Sequence, residues 1–412
     1  MSKTPVSEVA RLLARSKRPL FHIGQGARHA EKEFFALIEY LQVPFVTARN
    51  ANDLVEWDHP LYVGRPGTFA QRGANFAVQT SDLYIGMGTR LSITQTGYNT
   101  KDYARNAKII QVNIDQAELD KGTLRHPINI CMDAKDFINQ LHSEQLPSNV
   151  WPQWLAQCQR WKEKYPVCLS SYKDEKDYVN SYYFIHQLSG LARPEDTIVT
   201  DMGFAFQNTH QVWETKKGQR ILTNCGLAPM GWGLPAAIGA ATGTGKRVLL
   251  ITGEGGLMMN IQELWTVSHH KLPIKIFVLQ NGGYATIKQT QEFGFEGRLM
   301  GVNEDTGLSF PSDYFPLCYE LGFGHESVHR HDWLDHGLKR SLENEGPHIC
   351  EIWMNPDQPQ APRFLNRRNA DGTMNPTPLE DSFPFLPEDE VAAQMDVFGP
   401  IHKITKTTWR YK

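Results

Sequence analysis

With 412 residues and a typical ~150 residues per domain, the chain is expected to fold as two domains. Hydrophobic residues at 41% and charged residues at 21% are globular proportions, and a formal net charge of −3 gives no electrostatic case for a nucleic acid or a membrane as partner. Six scattered cysteines (Cys131, Cys158, Cys168, Cys225, Cys318, Cys350) without a C-x-x-C pair fit reduced thiols better than disulfides or zinc. No apolar signal core follows Met1 and no stretch approaches ~18 uninterrupted apolar residues, so a cytoplasmic protein acting on small molecules or other proteins is expected.

From Val6 to about Ala134 the chain reads as alternating helices and short apolar strands, the pattern of a parallel sheet covered on both faces. Pro19-Leu-Phe-His-Ile23 runs into Gly24-Gln-Gly26, Leu83-Tyr-Ile-Gly86 into Met87-Gly88-Thr-Arg90, and Lys108 to Ile114 ends at Asp115. Strands ending in Gly or Asp put small and polar groups along one sheet edge, where nucleotide-like ligands sit, although a glycine turn also serves any αβ loop. Trp151, Trp154, Leu155, Cys158, Trp161 and Tyr165 then recur at helical spacing up to Pro166, which predicts a packed linker helix more readily than an aromatic stack for a cofactor. From about Asp177 the alternation resumes through Thr197–Asp201, Arg247–Thr252 and Ile274–Leu279. Beyond Asn355 the chain turns rich in Pro, Asn, Asp and Gly. The expected fold class is therefore α/β, with two doubly wound parallel-sheet domains (1–150 and 177–358), a helical linker (151–176) between them, and a mostly irregular C-terminal tail (359–412).

The sharpest segment is Gly253-Glu254-Gly255-Gly256, followed by a helical stretch from Leu257 to His270, the strand Ile274 to Leu279, and Gln280-Asn281-Gly282-Gly283-Tyr284. In such a βαβ unit both strand exits lie on one edge, so Glu254 and Asn281, 27 positions apart, can face one small space. A carboxylate, an amide oxygen and a backbone carbonyl in the Gly282-Gly283 turn are hard donors suited to Mg²⁺ or Ca²⁺. Gly253, Gly255 and Gly256 allow backbone N–H groups to approach a diphosphate with no Cβ in the way.

This arrangement resembles the fingerprint of the thiamin-diphosphate enzymes, Gly-Asp-Gly followed some two dozen residues later by Asn-Asn. A second block, Gly226-Leu-Ala-Pro-Met-Gly-Trp-Gly-Leu-Pro-Ala-Ala-Ile-Gly239, is similar to the acetolactate synthase segment that precedes the metal motif. The resemblance implies Glu254, Asn281 and the Gly283 carbonyl as metal ligands, with Gly253, Gly255, Gly256, Asn281, Gly283 and Tyr284 around the cofactor. It also implies that Met230, the catalytic candidate, wedges under the cofactor and keeps its rings bent, while the Ala228 carbonyl accepts a hydrogen bond from the aminopyrimidine. There are departures. Glu254 stands where Asp is usual, Gln280 replaces the first, non-liganding Asn, and Phe204, Ala205 and Phe206 stand where polar residues often contact the diphosphate.

In the first domain Gly86 to Leu91, Val112 to Leu119 and Asp133-Ala134 resemble the central, flavin-holding domain of acetolactate synthases. FAD is accordingly expected near Gly24, Gly26, Gly86, Gly88, Arg90 and Asp115, although relatives keep this domain without flavin. The tail segment Pro378 to Pro387 is similar to acetolactate-synthase-like enzymes of bacterial surface-sugar gene clusters.

Enzymes of this family carry a further domain whose glutamate protonates the aminopyrimidine. Nothing here resembles its His-Glu-x-x-Ala stretch, and Glu8, Glu31 and Glu33 read as solvated helix charges. The expectation is one subunit of a split enzyme, self-associating and active with a separate chain that supplies the pyrimidine-binding domain. Its cofactors would be thiamin diphosphate and Mg²⁺, its donor pyruvate or a similar 2-oxoacid, and its acceptor a keto-sugar nucleotide or a second 2-oxoacid. A noncatalytic subunit that binds FAD or thiamin diphosphate for assembly or regulation is the alternative. A nicotinamide dehydrogenase ranks last, because neither domain shows a full G-x-G-x-x-G after its first strand.

Overall fold

The computed structural model describes residues 4–368 and 373–399. The chain divides into two compact units, one made of the described residues up to Val167 together with those from Ala361 on, the other of Cys168–Gln360. Both are parallel α/β sheets flanked by helices.

In the first unit the strands are β1 (Pro19–Ile23), β2 (Phe45–Thr47), β3 (Tyr62–Gly64), β4 (Leu83–Met87), β5 (Lys108–Asn113) and β6 (Ile128–Cys131), in the order β3-β2-β1-β4-β5-β6. Every pairing is parallel, and β1 lies in register with β4 from Pro19↔Leu83 to Ile23↔Met87. All five residues of β1 and of β4 are buried, as strands covered on both faces require. The strand order reverses between β1 and β4, the crevice at which open α/β sheets bind ligands. There the backbones close tightly: the Gly26 N–H donates to the Gly88 carbonyl at 2.9 Å, and a Cβ at Gly24 would overlap that carbonyl.

The aromatic stripe predicted as a linker is the Pro152–Lys164 helix, and it belongs to this first unit, packed on the Arg72–Thr80 helix. Trp154 and Trp161 are buried, their indole N–H groups donating to the Pro19 carbonyl at 2.8 Å and to Gln394 Oε1 at 2.9 Å. The tail also folds onto this unit. Arg363 bridges Phe69 and Phe383, and Arg72 donates to the carbonyls of Ser382 at 3.1 Å and Pro384 at 2.8 Å. Glu380 is buried and accepts from Gln79 Nε2 at 3.0 Å and from Arg105, which also bonds Asp102. Burial opposes its ionisation, but Arg105 and Gln79 prevail and hold the Glu380 carboxyl below its usual range. Regular structure in the tail is limited to an antiparallel pair (Asn366–Arg368 with Met374–Pro376) and the Glu388–Met395 helix among the described residues.

The second unit has β7 (Thr197–Thr200), β8 (Arg220–Leu222), β9 (Val248–Gly253), β10 (Ile274–Gln280), β11 (Gly324–Val328) and β12 (His348–Trp353), ordered β11-β12-β10-β9-β7-β8 and parallel throughout. Its core is the apolar run of β9 and β10 against the Gly233–Thr244 helix, whose buried Ala237 and Ala241 permit a close approach to β9. Asp201, Glu254 and Asn281 each follow the last residue of β7, β9 and β10, three neighbouring strands, so three polar side chains stand along one stretch of sheet edge.

One predicted element differs. The single helix expected over Leu257 to His270 is two, Glu254–Met258 and Glu263–His269. Between them Met259 and Asn260 hold tight turns, their N–H groups donating to the carbonyls three residues back, while the Asn260 side chain bonds outward to the Gly231 carbonyl. No helix of the described residues is long and apolar enough to cross a membrane.

Candidate functional site: a buried carboxylate and amide at two strand exits

Glu254 opens the helix after β9 and is fully buried. Its extra methylene, relative to Asp, lets the carboxylate span to the turn after β10. There Oε1 accepts from the backbone N–H groups of Asn281 at 3.0 Å and Gly283 at 2.7 Å. Glu254 Oε2 and Asn281 Oδ1 are both buried and have no hydrogen-bond partner. Desolvation pushes the Glu254 carboxyl up to about 7, against the pull of the surrounding backbone N–H groups. Two buried, unsatisfied oxygens cost free energy unless something electropositive meets them. As hard donors, one of them anionic, they fit a small divalent cation. The donor set therefore suits Mg²⁺.

The turn between them has a fixed shape. Gly282 and Gly283 have φ of +76° and +146°, and a Cβ at Gly283 would overlap the Val302 carbonyl. The Gly283 carbonyl accepts one bond, from the Ala285 N–H at 3.2 Å, which leaves a second lone pair. Gly255 packs under the Tyr284 ring and Gly256 against the Asp201 carboxylate, both too close for a Cβ, whereas Gly253 has open space. These close contacts require glycine at both positions, next to the Glu254–Asn281 pair. Gln280 points away from this space, donating from Nε2 to Glu351 Oε2 at 2.8 Å. Phe204, Ala205 and Phe206 are buried at the start of the Phe204–Val212 helix.

Met230 and Ala228 lie in an exposed loop before the Gly233–Thr244 helix; Met230 is 41% and Leu227 86% exposed. Ala228 has φ of +52°, an uncommon conformation for a residue with a Cβ. The sequence reading gives Asp201 no part in this site. Its signal was position, directly after an apolar strand, as with Asn281. It is buried and accepts from the N–H groups of Met202 at 2.9 Å and Gly231 at 3.1 Å.

The first unit holds a separate cavity of about 330 Å³ at the exits of β1, β4, β5 and β6. Of the residues expected near a flavin, Gly26, Gly88 and Arg90 line it. Gly24 and Gly86 are buried and do not line it, and Asp115 caps the Gln116–Asp120 helix, accepting from the Ala117 N–H at 2.9 Å. Gln25, Asn113 and Asp133 contribute polar groups to the lining. The volume is at the small end of ligand sites, ~300–1,000 Å³, and suits a nucleoside-sized portion of a ligand.

Two family descriptions match the chain: the thiamine pyrophosphate enzyme central domain over residues 6–141, and the thiamine pyrophosphate enzyme C-terminal TPP binding domain over residues 201–352. The chain belongs to the thiamine pyrophosphate enzyme family. It is 29% identical over 358 residues to the large subunit of acetolactate synthase isozyme 2 of Escherichia coli K12, covering 84% of this chain and 62% of that protein. The large subunit of isozyme 1 from the same organism is 30% identical over 356 residues, covering 85% and 61%. A probable acetolactate synthase large subunit of Methanocaldococcus jannaschii is 29% identical over 367 residues, covering 85% and 60%. The chain thus spans about three-fifths of the length of the curated relatives it matches. The Glu254 and Asn281 constellation lies within the segment matched to the TPP binding domain, and the 330 Å³ cavity within that matched to the central domain.

Proposed function

We propose that this chain is a subunit of a thiamin-diphosphate- and Mg²⁺-dependent 2-oxoacid decarboxylase and carboligase, with pyruvate or a similar 2-oxoacid as donor. The acceptor is a keto-sugar nucleotide or a second 2-oxoacid. The observation that carries this reading is the pair of buried, unpartnered oxygens, Glu254 Oε2 and Asn281 Oδ1, beside glycines with no room for a Cβ. Glu254, Asn281 and the Gly283 carbonyl hold the metal. Backbone at Gly253, Gly255 and Gly256 approaches the diphosphate, with Tyr284 alongside, and Met230 and Ala228 meet the rings. Thiamin diphosphate supplies the electron sink for decarboxylation when bound. The residues of this chain bind, orient and shield it.

The proton donor to the aminopyrimidine belongs to a further domain, which we assign to a separate chain; the whole assembly is expected to self-associate. FAD is proposed for the cavity between Gly26, Gly88 and Arg90, on the same grounds as the family's flavin-holding domain. A noncatalytic, cofactor-binding assembly subunit is the competing reading.

The deciding experiment has two stages. Calorimetry should show Mg²⁺-dependent binding of thiamin diphosphate that Glu254→Ala or Asn281→Ala abolishes. CO2 release from pyruvate should then be negligible with the chain alone and appear when a chain bearing the glutamate is added. Unchanged binding in both variants places the site elsewhere, and binding without CO2 release in the reconstituted pair favours the assembly subunit.

A further inference from the structure

The loop is exposed from Gly226 to Met230, but the residue directly after Met230, Gly231, is gripped on both its N–H and its carbonyl. The Gly231 N–H donates to both oxygens of Asp201, each at 3.1 Å, and the Gly231 carbonyl accepts from Asn260 Nδ2 at 2.7 Å. The fit demands glycine: φ is +84°, and a Cβ would lie 2.8 Å from the Met259 Cβ and 2.9 Å from Asn260 Nδ2. The two gripping residues come from different elements. Asp201 follows β7 and is 2% exposed, and it also takes bonds from the Met202 N–H at 2.9 Å and from Thr252 Oγ1 at 3.2 Å. Asn260 follows the Glu254–Met258 helix, the segment that carries Gly255 and Gly256. Asp201 in turn touches that segment, since a Cβ at Gly256 would overlap its carboxylate.

The loop and the glycine floor are therefore tied to each other through one residue, Gly231. We propose that Asp201 and Asn260 are positioning residues that fix Met230 over the Gly255–Gly256 floor by clamping Gly231 through its N–H and its carbonyl. The arrangement suits a two-part ligand, with an anion on the floor and a heterocycle against the loop; this rests on the thiamin-diphosphate reading. Neither residue needs to touch the ligand. Desolvation raises the Asp201 carboxyl, and the N–H group of Met202, the Thr252 hydroxyl and the N–H groups of Gly231 and Gly233 offset only part of that rise, so the acid's hydrogen bonds go to the protein itself.

A clamp and a floor residue differ in what their loss does to the two halves of the ligand. Asn260→Ala removes one hydrogen bond to the loop and leaves the floor glycines, Glu254 and Asn281 in place. A hydrogen bond of ordinary net strength corresponds to roughly a threefold to tenfold change in affinity. With the full-length chain and Mg²⁺, calorimetry should show thiamin diphosphate binding weakened by about that factor in Asn260→Ala, with inorganic pyrophosphate changed by less than about twofold. Amide hydrogen exchange over residues 226–232 should rise in Asn260→Ala. It should rise equally in Asn260→Asp, which keeps the shape and lacks the N–H donor.

Equal losses for both ligands, or unchanged exchange in the loop of both variants, overturn the clamp. A parent chain that binds pyrophosphate but not thiamin diphosphate instead refutes the cofactor reading, while the exchange measurement still judges the clamp on its own.

Discussion

Replacing Glu254 with Gln keeps the shape of the side chain, including an oxygen for the Asn281 and Gly283 N–H groups, and removes its charge. In the metal-free protein burial raises the carboxyl from 4.5 to about 7. For an acid whose folded value lies above its unfolded one, the folded state holds the proton more tightly; stability is complete below the unfolded value and falls as pH rises towards the folded one. At ~1.4 kcal/mol per pH unit this amounts to about 3 kcal/mol, and about 2–3 kcal/mol after allowing for relaxation around the charge. The Gln variant does not titrate and escapes this loss. In a chelating buffer Glu254→Gln should thus exceed the parent by less than about 1 kcal/mol near pH 5 and by about 2–3 kcal/mol near pH 8. In the second unit that corresponds to a rise of roughly 5–10 °C in melting temperature. With Mg²⁺ and thiamin diphosphate the ranking should reverse, because only the parent gains from binding. Urea and thermal unfolding of both proteins at the two pH values provide the measurement. A variant-minus-parent difference that stays flat between pH 5 and pH 8 would refute the assignment of a buried, ionisable Glu254.

Gly283→Ala forces a Cβ into the Val302 carbonyl at φ of +146°, so calorimetry should detect at least a tenfold weaker Mg²⁺·thiamin diphosphate complex, about 1.4 kcal/mol or more. Glu380→Ala leaves Arg105 with Asp102 alone and should destabilise the first unit by about 1.5–3 kcal/mol in urea unfolding, the loss of a hydrogen bond to a charged group with the second partner retained. At the strand exits of the first unit, Gly88→Val would fill the approach to Gly26; FAD absorbance retained on the parent after gel filtration should be absent from this variant. If the parent retains none either, the flavin proposal falls.

The fold was legible because its strands announce themselves: Pro19–Ile23, Val248–Gly253 and Ile274–Gln280 are short apolar runs closed by glycine or an amide. The same punctuation places Glu254 and Asn281 on one edge, and the structure brings them together through the Oε1 bonds. What stayed hidden depends on partners remote in sequence. Asp201 looks like any strand-end acid until Gly231 is found 30 residues away on its carboxylate. The helix break at Met259 and Asn260 carries no proline or glycine to signal it. Likewise the aromatic stripe from Trp151 reads as a linker, since periodicity shows that a helix is buried without showing which unit buries it.

The first unit is discontinuous in sequence, and this bears on how the chain is made. Arg72 reaches its acceptor at Ser382 over a separation of 310 residues, and Gln79 reaches Glu380 over 301. On a ribosome adding ~5–20 residues per second, the roughly 190 residues of the second unit take about 10–40 s to emerge before the tail can follow. Throughout that interval the nascent first unit exposes Arg72, Asn75 and Gln79 without the tail segments that cover them. The second unit has no such wait, since all of its strands lie within Cys168–Gln360. Translation thus delivers the unit with the Glu254–Asn281 pair first in finished form, although it comes second in sequence, and a stall or truncation before Ala361 would leave the earlier unit unsealed.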